Sequence, residues 1–586
     1  MKQVSRMSFD GGSREDRELL RSAVHSLAEG VLEDIKAVSA TRLAHILHVH
    51  AKLGVKLSDR LKKHLAQLVV SVAPSLTADN VATLFWSFAK VGHRAELALL
   101  QERALDLMPG FSPRDLANTL WAFSKFGTPP NVIVLKALQE QSVIKIKGFS
   151  SQTIANVLLA FARLEMPIER ELLEALSAAA VERMNQFEAQ HVSNALWAFA
   201  KLEVLPGQVL LERLKQRAIL TMPDFTAQAV ANTLWSFSTL ELSPGEALTG
   251  ALQARALKRM ADFNTQGISM TLQAFAKLQV HPGAEVLDGF RSGALRQIED
   301  FEAQGMSNML WALATLGEDP GPELTAAVES RALQMSSDFN PQALSNTLWA
   351  LATMGVQPEE RFLEWLRMQT IISLEHFNAQ GLCNMLFGFA VLGRHPGDDL
   401  VEGMQVQAIS VMANFDSHSV ANILRPFALL DIKPIPAFLG ALQLRALHLF
   451  ENDEVPLQDC VVFLLACGRL ATKPPEELTD HMISVLLENA ETLNAQQVSN
   501  VLWALGALRM DPGPRLLSAL GVRSIEVLDD MIPQAVSNML WAFANLRLIP
   551  PKEWLRLIGL HTIKIRYFFA LPSLKSSFSL GLGFRI

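Results

Sequence analysis

Along this 586-residue chain, apolar residues fall at helical spacing in short blocks, and the blocks return at a fixed interval. In residues 340–355, NPQALSNTLWALATMG, the side chains of Leu344, Leu348, Leu351 and Met354 share one broad arc when laid out at about 100° per residue. Asn340 supplies a cap, Pro341 suits the first turn and Gly355 marks the end, so the stretch predicts a helix. No stretch alternates with period two for long enough to predict a sheet.

With Trp349 as position zero, equivalent positions are His48, Trp86, Trp121, Leu159, Trp197, Trp235, Gln273, Trp311, Trp349, Phe387, Arg425, Leu465, Trp503 and Trp541. Eleven of the thirteen spacings are 38 residues, the exceptions being 35 and 40, so the period is a property of the chain and not a coincidence. Each unit reads as two helices. The first runs from −7 to +5, as in 304–316, and the second follows a loop commonly carrying Pro and Gly, such as Pro320-Gly321. One such pair cannot bury its apolar face alone, so neighbours must stack. The expected class is all-α, an α-solenoid of about fourteen 38-residue helix-turn-helix repeats over 35–568. Residues 1–34 read as a polar leader and 569–586 as an irregular tail.

Positions −7, −3, 0 and +4 of the first helix fall within about 60° of one another, opposite the core arc. Position −7 is Gln in ten repeats, among them Gln190, Gln228, Gln304 and Gln342. Position −3 is Asn in ten, including Asn194, Asn232, Asn308 and Asn346. Position zero is Trp in eight: Trp86, Trp121, Trp197, Trp235, Trp311, Trp349, Trp503 and Trp541. Position +4 is a cation in seven, Lys52, Lys90, Lys125, Arg163, Lys201, Lys277 and Arg469, and Thr in three. Small residues at −4, +1 and +3 predict close approach between neighbouring helices.

Charge sharpens the picture. The chain carries a formal net charge of −7, which argues against coating nucleic acid or anionic membrane by bulk charge. Over the 56 stripe positions, however, there are nine Lys or Arg and a single acid, Asp79. A face of amides, indoles and cations on an acidic body suits single-stranded RNA: cations for phosphate, indoles for stacking, amides for base edges. The competing structural roles stay open at this point. Asn at −3 can bond a neighbouring loop, Trp can fill the seam between repeats, and the +4 cations can be a solvated row. A second recurring set, Arg103, Arg217, Arg255, Arg331 and Arg523 with Gln141, Gln369 and Gln407, lies in the second helix. It reads as a helix-end or loop-bonding position.

Chemistry beyond binding finds no support in the residues. Three cysteines, Cys383, Cys460 and Cys467, are too few for a disulfide framework or a Cys-rich zinc site. His45, His48 and His50 occupy ordinary repeat slots of an atypical first unit. No phosphate-loop, GxSxG or HExxH motif occurs, so neither an enzyme nor a cofactor or metal is expected. No run of 18 apolar residues predicts a membrane span. The first residues lack the apolar core of a secretory signal and carry Asp10, Glu15, Asp16 and Glu18, so no presequence is expected.

The unit at 340–358, together with IPPKEWL at 549–555, resembles the octotricopeptide repeat of organellar proteins. Pro341, Gln342, Leu344, Asn346, Leu348, Trp349, Ala350 and Ala352 match its core, and Pro550, Pro551, Glu553, Trp554 and Leu555 a second element. More distantly the repeats resemble those of FAST-kinase-like proteins and RNA-editing-complex subunits. The resemblance implies binding of chloroplast or mitochondrial transcripts in RNA processing, stability, splicing or translation. Many such relatives end in a small nuclease-like domain, which the residues after 568 do not predict. The expectation is therefore sequence-selective binding of single-stranded RNA by a non-catalytic protein, with partners supplying catalysis and no small-molecule substrate. The alternative is a protein-interaction scaffold, favoured by the acidic pI of about 6.1.

Overall fold

Among the described residues, fourteen helical hairpins follow one another, from Ala40–Leu53 with Asp59–Val72 to Pro533–Leu546 with Lys552–Phe569. The computed structural model describes residues 38–54, 59–94, 96–335, 338–452 and 455–569, together with 22, 23 and 26. There is no strand among the described residues, and the chain is an α-solenoid of tandem repeats. Apart from residues 22, 23, 26 and 569, the expected leader (1–34) and tail (569–586) lie outside the described residues. The chain falls into two compact units, Met1–Gln297 and Ile298–Ile586, which hold repeats 1–7 and 8–14.

Within each unit the first helices pack on one another as a continuous layer, while successive second helices touch more sparingly. The residue pattern explains the difference. Along Pro341–Thr353, the core residues Leu344, Leu348 and Leu351 are buried, and so are the small residues Ser345, Ala350 and Ala352. Small side chains let two backbones approach. A Cβ placed on Gly506 would lie 2.8 Å from the Cα of Ala542 in the next first helix, and one on Gly388 would lie 2.6 Å from Cγ of Leu348.

The helix limits follow the expected signals. Helix 303–316, expected to start at 304, begins at Ala303. Asn340, Asn378 and Asn264 cap their helices by accepting from the backbone N–H three residues on. Position +6 is left-handed in all fourteen repeats: Gly in Gly54, Gly92, Gly127, Gly317, Gly355 and Gly393, and side-chain-bearing residues such as Glu165, Glu203, Glu241 and Gln279 elsewhere. Glycine takes this conformation without steric cost, and the other residues do not.

Two sets of long side chains tie the hairpins together. The residue at −10, usually Phe, is buried in most repeats and commonly ends a short 3₁₀ turn, and among the described residues its carbonyl accepts a hydrogen bond from position +20 of the second helix in six repeats. Arg217 Nε donates to Phe187 O at 2.6 Å, Arg255 to Phe225 at 2.7 Å, Arg445 to Phe415 at 2.8 Å and Arg523 to Leu493 at 2.7 Å. Gln407 and His561 reach the equivalent carbonyls of Phe377 and Met531. The second-helix polar residues thus close back onto the start of their own repeat. Position +18 acts forward instead. Gln139 and Gln405 each accept, at 2.7 Å, the backbone N–H at the start of the next second helix, from Glu169 and Ile435. Each bond satisfies a backbone group that a helix end leaves unpaired.

Candidate nucleic-acid interface

In repeats 2–13 each first helix is buried around most of its circumference and meets solvent along one line, the −7, −3, 0, +4 stripe. In Pro341–Thr353, Gln342 is exposed and Asn346, Trp349 and Thr353 are half-buried, while Ala343 and Thr347, at −6 and −2, are buried. The same gradient holds elsewhere. Gln190 and Gln228 are exposed and Gln304 is half-buried; Asn194, Asn232 and Asn308 are half-buried. The +4 cations Lys52, Lys90, Lys125, Arg163, Lys201, Lys277 and Arg469 are all exposed. Trp86, Trp121, Trp197, Trp235, Trp311 and Trp503 are half-buried, and Trp541 is exposed.

Three pairs of indoles from adjacent repeats meet across the repeat seam. Ring centroids are 6.1 Å apart for Trp86 and Trp121, 6.2 Å for Trp197 and Trp235, and 5.9 Å for Trp503 and Trp541, with interplanar angles of 19–32°. His48 continues the row, 4.9 Å from Trp86. A base sandwiched between two rings needs about 7 Å, two stacking steps of about 3.4 Å each. These pairs leave less, so within each pair the two indoles pack against each other with no room for a base between them. Lysines lie over two of these rings: Lys90 Nζ is 5.2 Å from the Trp121 centroid and 5.8 Å from that of Trp86, and Lys125 Nζ is 5.9 Å from Trp121. Indole packing and a cationic surface are therefore one structure here.

The amides differ between the two compact units. In repeats 8, 13 and 14, Gln304 donates to Asn308 (3.0 Å), Gln496 to Asn500 (2.9 Å) and Gln534 to Asn538 (3.0 Å). Asn384 reaches Asn346 at 3.5 Å across a repeat seam. In repeats 3–6, by contrast, the side chains of Asn118, Asn156, Asn194 and Asn232 make no hydrogen bond among the described residues.

Two features break the uniform row of cations. Lys201 pairs with Glu165 of the preceding repeat at 2.6 Å, and that hydrogen bond and charge hold the Glu165 carboxyl below its usual range. Repeat 11 replaces Gln and Trp by His418 and Arg425. There His418 Nδ1 lies 3.2 Å from the buried Asp459 of repeat 12, which also accepts from Ser417 at 2.8 Å. The hydrogen bond to Asp459 is the main cause of the raised His418 pKa. Arg425 lies over the Phe387 ring, 5.1 Å from its centroid; burial, then the neighbouring charge of Arg469, lowers its pKa. The sequence reading missed Glu165 and Asp459. Glu165 carries a signal in the chain, since the next two repeats also place an acid at +6, Glu203 and Glu241.

Among the described residues no group of His, Cys, Asp or Glu is arranged to hold a metal ion, and no helix is long and apolar enough to cross a membrane. His50 is buried, and burial is the first cause of the lowered His48 pKa. The three cysteines are buried free thiols, and burial pushes Cys467 up to about 12.

Comparison with known proteins adds a family. The profile of the RNA-editing substrate-binding complex 6 protein family matches residues 15–244, 206–358 and 294–550. No curated protein sequence matches the chain. Among solved structures, the maize pentatricopeptide repeat protein PPR10 aligns over 97% of this chain and 96% of its own, at 11% identity and a TM-score of 0.32. A homology model of the full-length AP-3 complex aligns over 93% of each chain, at 11% identity and a TM-score of 0.33. Both likenesses are distant.

Proposed function

The chain belongs to the RNA-editing substrate-binding complex 6 protein family, and from that premise we propose that its Gln-Asn-Trp-Lys/Thr face binds single-stranded RNA. One observation carries the reading: the solvent line of the first helices gathers nine cations and one acid on a chain of net charge −7. Phosphate contacts give such a face its affinity and its salt dependence. Exposed Gln and half-buried Asn supply donors and acceptors for base edges. The paired tryptophans act by holding the row in register, since Trp86 packs against Trp121 and Lys90 lies over both rings.

In this reading the protein is non-catalytic, and protein partners supply any cleavage or transfer step. An organellar compartment, with roles in transcript processing, stability or translation, follows from the octotricopeptide-type resemblance. The test is selection from a random single-stranded RNA pool by the purified chain across a salt series. Enrichment of particular sequences, with affinity falling steeply as salt rises, supports the reading; no binding at low salt defeats it. The Lys201–Glu165 pair favours one rival, a protein-binding scaffold whose cations are engaged within the array. That rival predicts capture of a polypeptide and indifference to salt.

A further inference from the structure

The two compact units carry the same repeat and different surfaces. In Met1–Gln297, six of the seven +4 positions are cationic: Lys52, Lys90, Lys125, Arg163, Lys201 and Lys277. In Ile298–Ile586 only Arg469 is, the others being Thr315, Thr353, Val391, Leu429, Ala507 and Asn545.

The amides divide the same way, and independently of charge. Asn308, Asn500 and Asn538 already accept from the Gln one turn earlier, while Asn118, Asn156, Asn194 and Asn232 keep uncommitted amides beside a cationic row. An amide bonded within its own helix must break that bond before it can read a base, whereas an uncommitted one loses only water. A phosphate approaching Thr, Val or Leu at +4 gains no counter-charge.

Building on the RNA-binding reading, we infer that the RNA site lies in the first compact unit, along 78–277. There Lys90, Lys125, Arg163 and Lys277 hold phosphates, and Asn118, Asn156, Asn194 and Asn232 present the base-reading amides. The matching face of 298–586 holds no RNA by charge. Its Gln–Asn bonds and the Trp503–Trp541 stack complete the solenoid surface instead.

The experiment uses the full chain and a single-stranded oligonucleotide carrying 4-thiouridine, cross-linked by light and mapped by peptide mass spectrometry. Cross-links confined to 78–277 are the expected result. In parallel, the triple variant Lys90→Gln/Lys125→Gln/Lys277→Gln should reduce the slope of log affinity against log salt by about 2, at about 0.7 for each phosphate no longer neutralised. Arg469→Gln should leave affinity within twofold. These side chains are exposed, and unchanged helical circular dichroism establishes that the variants remain folded. Cross-links concentrated in 303–546, or an Arg469→Gln loss as large as that of the triple variant, overturn the placement while leaving RNA binding intact. A wild-type chain that binds no RNA at low salt overturns the placement and the RNA reading together.

Discussion

Arg217 reaches back thirty residues to donate its Nε hydrogen to the carbonyl of Phe187, at 2.6 Å. The bond joins the second helix of repeat 5 to the start of the same repeat, where the Phe187 ring is fully buried. The relationship recurs between +20 and −10 along the array, as a structural period superimposed on the sequence period.

Removing that donor leaves a partly buried carbonyl without its charged partner. Arg217→Ala is expected to lower stability by about 1–3 kcal/mol, measured by urea unfolding. Arg217→Gln should restore part of the loss, because Gln407 makes the equivalent bond to Phe377 at 3.0 Å. Neither change should alter RNA affinity, since position +20 lies on the second helix and the proposed face on the first.

Close packing of the first helices gives a second, paired expectation. Gly506→Ala forces a Cβ to within 2.8 Å of the Ala542 backbone, and should lower stability by about 1–3 kcal/mol. Gly521 sits in second helix Gly513–Glu526, and a Cβ added there would meet nothing within 4 Å. Gly521→Ala should therefore raise stability by up to about 1 kcal/mol through helix propensity alone. Thermal unfolding of the two variants side by side separates the effects.

The left-handed +6 position tests backbone strain without packing. Gly317 has φ of 74° and open space around it, so Gly317→Ala should cost about 1 kcal/mol from conformation alone. Gln279, at φ 55°, is the converse case. Gln279→Gly should gain a few tenths to about 1 kcal/mol, relief of strain outweighing the extra freedom of the unfolded chain. Equal and unsigned effects at the two sites would contradict the strain argument.

Glu329 occupies the +18 register that carries Gln in repeats 3, 6, 10 and 11, and it accepts the backbone N–H of Glu359 at 3.4 Å. Burial raises its pKa, the bond from the Glu359 backbone opposes the rise and the Glu359 charge adds to it. An acid with a raised folded pKa binds its proton more tightly when folded, so stability falls as pH rises from the ordinary carboxylate range through the folded value. Glu329→Gln should therefore stabilise the protein at neutral pH. The advantage should disappear in acid, where Glu329 is protonated in both states, as measured by unfolding at a series of pH values.

The architecture was legible because a repeat writes each contact many times. Leu344, Leu348 and Leu351 announced the core, Ser345 and Ala350 the close helix layer, and Gln342 to Thr353 the solvent line. The role of Arg217 was open, because a bond spanning thirty residues to a backbone carbonyl leaves no mark on the acceptor's identity. Phe187 was a visible periodic residue whose side chain fills the core while its carbonyl does separate work. The ring spacing of Trp86 and Trp121 was likewise hidden. Placing both on one face permitted base stacking between them, and only the separation set by backbone packing limits it. The Lys201–Glu165 pair depended on a left-handed turn in the preceding repeat.

The central claim is that the cationic line of the first helices holds RNA. Its most direct test is the salt dependence of affinity for a single-stranded RNA, measured by fluorescence anisotropy for the wild-type chain and for Lys90→Glu/Lys125→Glu/Lys277→Glu. The account predicts affinity at least about tenfold weaker and a salt slope shallower by about 2 for the variant, with helical circular dichroism unchanged. Equal affinity and equal slope in a folded variant would contradict it.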